Sequence, residues 1–143
     1  MIEFTYIGIR ELKIIAAYLL QNKDNIEQII SEFGDIENNN GYGTIFLRPK
    51  NQLFKVISIH SEDGQILAVG FGGPQLGLSL KEVFLAYKRN EEGYIPYDSE
   101  YVYVFYRSDD YNYTIKITSK KKLLEKGEII NDIPINDFVI TLK

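Results

Sequence analysis

Tyr101-Val102-Tyr103-Val104-Phe105-Tyr106-Arg107-Ser108-Asp109-Asp110-Tyr111-Asn112-Tyr113-Thr114-Ile115-Lys116-Ile117-Thr118 is two alternating runs around a polar segment. Period-two alternation marks strands, whose side chains point to opposite faces in turn. A short polar segment between two such runs marks a turn. The stretch therefore predicts an antiparallel hairpin, with strands Tyr101–Arg107 and Tyr113–Thr118. Tyr101, Tyr103 and Phe105 share one face of the first strand, and Val102, Val104 and Tyr106 the other. On the return, Tyr113, Ile115 and Ile117 oppose Thr114, Lys116 and Thr118. Cross-strand partners share a face, so the parity of the register decides which set is core. A four-residue loop Ser108–Tyr111 built on a type I turn puts Arg107 opposite Asn112. The valines then meet the isoleucines, and Tyr101, Tyr103 and Phe105 form an exposed aromatic stripe. A register shifted by one residue buries the stripe instead.

Working outward, Leu53–His60 and Ile66–Phe71 read as a second hairpin around Glu62-Asp63-Gly64-Gln65. Asp-Gly suits a two-residue turn in which both positions need positive φ. Both faces of this pair are mostly apolar, which predicts a central position covered on both sides. Further strands are expected at Ile2–Ile7, Thr44–Leu47 and Phe138–Leu142. Helical spacing of Leu12, Ile15, Ala16 and Leu19 predicts a helix over 10–21. A second helix is expected over 25–33, capped by Asp24 with Glu27 three residues on, buried through Ile26, Ile29, Ile30 and Phe33, and ended by Gly34. Ser79-Leu80-Lys81-Glu82 reads as a capping box opening a third helix, with Leu80, Val83, Phe84 and Tyr87 facing the core. A short helix is expected over 119–126. The sum is one α+β domain over 1–143: an antiparallel sheet of five to seven strands, two N-terminal helices and one inserted helix.

Composition limits the function classes. The chain has 143 residues, 45% hydrophobic and 25% charged, which is globular and enough for one core. No cysteine is present, which removes disulfides and thiolate metal sites. The longest apolar run, 14–20, is too short to span a bilayer, and the N-terminus has no basic signal region. A cytoplasmic protein with no membrane association is expected. Net charge is −4, opposite to the basic face that nucleic acid demands, so no nucleic-acid partner is expected.

The chemical candidates are few. Gly70-Phe71-Gly72-Gly73-Pro74 sits between a strand and a helix but lacks dinucleotide spacing and a Walker lysine, so it reads as a tight connection. His60 is the single histidine, at a hairpin end beside Ser61, Glu62 and Asp63. Adjacent residues do not converge as a catalytic triad does. No catalytic residue, cofactor or metal is therefore assigned.

Seven of the eleven tyrosines lie between Tyr94 and Tyr113, among Asp98, Glu100, Asp109 and Asp110. Tyrosine supplies rigid amphipathic contact area, and flanking acids select a basic partner. The partner-binding set is accordingly Tyr97, Asp98, Glu100, Tyr101, Tyr103, Phe105, Asp109, Asp110 and Tyr111. In size, acidity, lack of cysteine and dense Tyr/Asp surface the chain resembles bacterial immunity proteins. That resemblance of build implies an inhibitor that binds a basic toxin domain directly, as a monomer or weak homodimer. The alternative is a small-molecule-binding domain or enzyme with a pocket where the tyrosine hairpin meets the Gly70–Gly77 segment.

Overall fold

A computed structural model describes residues 4–73, 78, 80–87, 91–96, 101–120, 135 and 137–143, with backbone alone over 91–96 and at 102, 119 and 120. Among these residues lie three helices, α1 (Ile9–Gln21), α2 (Ile26–Phe33) and α3 (Leu80–Tyr87). The strands are β1 (Gly34–Asn39), β2 (Thr44–Pro49), β3 (Val56–Glu62), β4 (Gln65–Gly72), β5 (Glu91–Pro96), β6 (Tyr101–Arg107), β7 (Tyr113–Lys120) and β8 (Asp137–Leu142). They form one sheet in the order β1-β2-β3-β4-β8-β7-β6-β5, with every pairing antiparallel. Two four-strand meanders thus meet at the β4–β8 seam. The class is α+β with N-terminal helices, as the periodicity predicts.

Apolar side chains at alternate positions of the central strands build the core. Leu47, Ile57, Ile59, Val69, Phe71, Ile115, Ile117, Phe138 and Ile140 are all buried, each worth roughly 1.5–3 kcal/mol of transfer free energy. The helices cover this face. Leu12, Ile15, Ala16 and Leu19 of α1 are buried, as their spacing requires. Rings bridge the two layers: Tyr18 packs edge-on to Phe33, and Phe33 to Phe71. Phe71 in turn meets Phe54 and stacks on Phe138. From α3, Tyr87 reaches Tyr106, and its hydroxyl lies 3.1 Å from that of Tyr113. Burial, more than this mutual hydrogen bond, pushes the Tyr87 phenol up, and burial likewise raises Tyr113.

Several expectations are corrected. Residues 4–8 are not a strand. The Asn51 side chain holds the Phe4 carbonyl at 3.0 Å, so this segment is pinned to a loop and not to the sheet. Asn51 also accepts from Leu53 N–H, a local turn that delays β3 to Val56. The cap of α2 is Asn25, which accepts from Gln28 N–H. Asp24 instead receives the Gln65 amide at 2.7 Å. Residues 119 and 120 continue β7, not a helix, and the rest of the expected 119–126 helix lies outside the described residues. Ser79, the expected cap of α3, lies outside them too. The Asp63-Gly64 turn has positive φ at both positions, as its residues require.

The hairpin of β3 and β4 is central, and among the described residues helices cover one side of it. Its second face carries Val56, Ser58, His60, Ala68, Gly70 and Gly72, and Val56 is 41% exposed. Small and glycine positions make that face look buried in sequence, whereas Ser58, His60, Ala68 and Gly72 are half-buried and Val56 is exposed.

Candidate functional site: the uncovered sheet face

The tyrosine hairpin has the expected parity with a shifted register. Arg107 lies opposite Thr114, not Asn112. The loop keeps four residues but moves one position along the chain, because Ser108 N–H bonds Tyr113 O. The Ser108 hydroxyl donates to Asp110 at 2.7 Å and accepts from Asn112 and Tyr113 N–H. Tyr111 takes the left-handed conformation (φ 62°) that closes the turn. Hydrogen bonds from Ser108 and the Asn112 backbone hold the Asp110 carboxyl below the usual range. Asp110 therefore builds the loop as well as charging its tip.

Because parity is kept, Val104 and Tyr106 join Ile115 and Ile117 in the core. Tyr101, Tyr103 and Phe105 project from the opposite face and are half-buried. Tyr103 and Phe105 meet edge-on, with ring centroids 6.5 Å apart. Asp109, Asp110 and Tyr111 are exposed at the tip, Tyr111 at 49%. Tyr97, Asp98 and Glu100 lie outside the described residues.

Pairing registers extend this face across six strands. One row reads Phe46, Ser58, Gly70, Val139, Lys116, Phe105. Its neighbour reads Val56, Gly72, Asp137, then Thr118 and Tyr103. Gly70 and Gly72 carry no side chain, so the centre of the face sinks into a depression of about 290 Å³. Tyr103, Lys116, Thr118 and Asp137 border it on one side, Val56 and Ser58 on the other. Thr118 donates to Asp137 at 2.5 Å. Among the described residues no helix packs on this face.

Two bases stand among the aromatics beside Asp109 and Asp110. Lys116 Nζ sits 4.4 Å from the Tyr103 ring centroid, and the Arg107 guanidinium 4.1 Å from that of Tyr111. Such contacts are worth about 0.5–1 kcal/mol at exposed sites. Lys116, Gly70 and Gly72 lie where hairpin parity and the expected pocket put them, whereas Val56 and Asp137 belong to this face but were not legible as part of it. The signal was the parity of β4 and β8 relative to β7, which depends on which strands are neighbours. Among the described residues no His, Asp and Glu side chains cluster as a metal site would need.

His60 stands on the same face, its Nδ1 3.2 Å from Thr44 Oγ1. Partial burial, then the charge of Lys116, lowers its pKa below 6.5. The unfolded chain therefore binds the proton more readily, and folding favours the neutral imidazole. This contribution is complete above about pH 6.5 and is lost as pH falls through the lower folded value. His60→Gln is expected to shrink the drop in urea midpoint between pH 7 and pH 5. An unchanged drop would assign the acid sensitivity to other groups.

No protein-family model matches the chain, and no curated protein or solved structure proves similar to it. Among the described residues no helix is long and apolar enough to cross a membrane.

Proposed function

We propose that this chain is an immunity-type inhibitor, which neutralises a bacterial toxin domain by direct protein–protein contact. The observation that carries the reading is that, among the described residues, helices cover one face of the sheet and not the other. The helices sit on one face, and the other presents Tyr101, Tyr103 and Phe105 on the hairpin whose tip exposes Asp109, Asp110 and Tyr111. Rigid aromatic anchors beside exposed carboxylates suit a partner with a basic rim. Arg107 stacks on Tyr111, so the tip carries the carboxylates of Asp109 and Asp110 beside one guanidinium.

The test is co-expression with the protein encoded immediately upstream, followed by toxicity rescue and titration of the purified pair. A stoichiometric complex is expected. Tyr103→Ala should weaken it at least about tenfold, as loss of an aromatic anchor does. Asp109→Lys should act mainly by slowing association, with a changed salt dependence. If neither substitution alters binding, the hairpin is not the interface.

A second reading is favoured by one observation, the depression over Gly70 and Gly72. It brings the tyrosine hairpin and the glycine segment together, as a small-molecule site would. Val139→Phe, which fills it, separates the two readings: it would abolish small-ligand binding while leaving the Tyr103 and Asp109 dependence of toxin binding in place.

A further inference from the structure

β1 is the last strand of the sheet, and among the described residues β2 is its one neighbour. The ladder shows which of its backbone groups turn outward. Lys50 N–H bonds Phe33 O at 3.0 Å. Bonded pairs recur at every second residue of an antiparallel ladder, so Asp35 and Arg48 form the next one. Gly34 and Ile36 occupy the alternate positions and aim their groups away from β2. Gly34 N–H closes α2 on Ile30 O. The edge therefore offers the Gly34 carbonyl together with the N–H and carbonyl of Ile36. A register shift after Ile36 ends this regular segment.

The side chains of β1 set what can lie beside it. Ile36 stands opposite buried Leu47 on the helix-covered face, yet is itself 56% exposed. Asp35 stands opposite Arg48, on the uncovered face. Glu37 reaches the same guanidinium at 3.9 Å. Two carboxylates thus share one base. Asp35, Ile36 and Glu37 are all exposed, so an added strand would find contact surface on both faces.

Charges and bulges ordinarily guard an edge strand against pairing. Here the guard has one sign, and it discriminates between occupants. A second copy that paired its own β1 antiparallel to this one would set Asp35 against Asp35 or Glu37, and like charges directly opposite are destabilising. A strand with Lys or Arg at those positions meets opposite charge instead. We infer that β1 accepts an added strand from a partner protein, an extended segment in which basic and apolar residues alternate. Its apolar side chains lie beside Ile36 and its basic ones beside Asp35 and Glu37. Opposite residues share a face, so an apolar residue stands opposite Ile36 and exchanges both backbone bonds with it. This edge is separate from the aromatic hairpin, and the inference does not depend on the reading given to that hairpin.

The experiment is an NMR titration of the full chain, at low salt, with the acetylated and amidated heptapeptide Lys-Val-Lys-Val-Lys-Val-Lys. Saturable shifts of the Ile36 amide and slowed solvent exchange of its N–H are expected, with a dissociation constant on the order of 1 mM for so few bonds. Two N-methylated versions of the peptide test the register without altering the protein. Methylation at the valines removes the donors that face β1 and should weaken binding at least about tenfold. Methylation at the lysines alters the far edge and should change binding less than about threefold. The Glu-Val counterpart of the heptapeptide should bind at least about tenfold more weakly, and Glu37→Lys should weaken the Lys-Val peptide about threefold. No saturable shift at Ile36, or valine methylation without effect, would overturn strand addition. A Glu-Val peptide that binds as tightly would overturn the charge assignment, as would an unchanged affinity in Glu37→Lys. A mass that rises with concentration in peptide-free protein, together with a protected Ile36 N–H, would overturn the partner in favour of a second copy.

Discussion

Phe71→Ala is expected to remove about 4 kcal/mol of stability, the range for deleting a buried phenylalanine. Phe71 is 1% exposed, and its ring centroid lies 5.5 Å from that of Phe33, 5.1 Å from Phe54 and 5.0 Å from Phe138. These partners come from α2, from the turn before β3 and from β8. The single ring therefore joins the helix layer to β8 and to the turn that leads into β3. Truncation leaves a cavity whose walls belong to three elements, and β4 cannot move to fill it without breaking pairing on both sides. Against a total of roughly 5–15 kcal/mol, the variant would keep a native fold at low temperature with little margin. Urea denaturation should show a midpoint lowered by about 2 M, for a slope near 2 kcal/mol/M. Phe46→Ala is the control, since Phe46 is 36% exposed on the uncovered face. It should cost below about 1 kcal/mol. Equal losses for the two would mean that the face assignments of β2 and β4 are wrong.

The contrast between Phe71 and Phe46 shows where the sequence was readable. Helical spacing put Leu12, Ile15, Ala16 and Leu19 into the core because one helix face faces one neighbour. Within the tyrosine hairpin, turn chemistry carried parity far enough to separate Val104 from Tyr103. What it did not carry was strand order. β8 inserts beside β4, so Val139 and Asp137 become neighbours of Gly70 and Gly72 across a long sequence separation. No local pattern encodes that pairing. The two outermost strands were also hidden. Gly34–Asn39 is nearly all exposed and Asn-rich, and Glu91–Pro96 begins in turn-like residues. Edge strands are held by a neighbour on one side only, so their composition need not look like a strand. The site followed the same division. Tyr101, Tyr103 and Phe105 were legible from alternation along one strand, whereas Lys116 on the Tyr103 ring required the cross-strand diagonal.

Gly73 tests the least legible part of the chain, the glycine run at the end of β4. Its φ is +132°, which side chains rarely adopt, and a Cβ there would stand 2.3 Å from the backbone nitrogen of Lys55. That nitrogen donates to Gly72 O at 2.7 Å. An added methyl must displace the start of β3 together with Phe54, whose ring packs on Phe71. Backbone strain of about 1–3 kcal/mol and a similar cost for forced displacement lead us to expect Gly73→Ala to cost about 3 kcal/mol. Gly64→Ala isolates the first component. Gly64 also has positive φ, at +79°, but its Cβ would meet nothing within 4 Å. It should cost only about 1 kcal/mol, the left-handed penalty alone. The difference between the two urea midpoints then measures the close approach of β4's end to Lys55. If both variants lose the same amount, that approach is not made, and the run is a flexible connection rather than a clamp between β4 and the turn before β3.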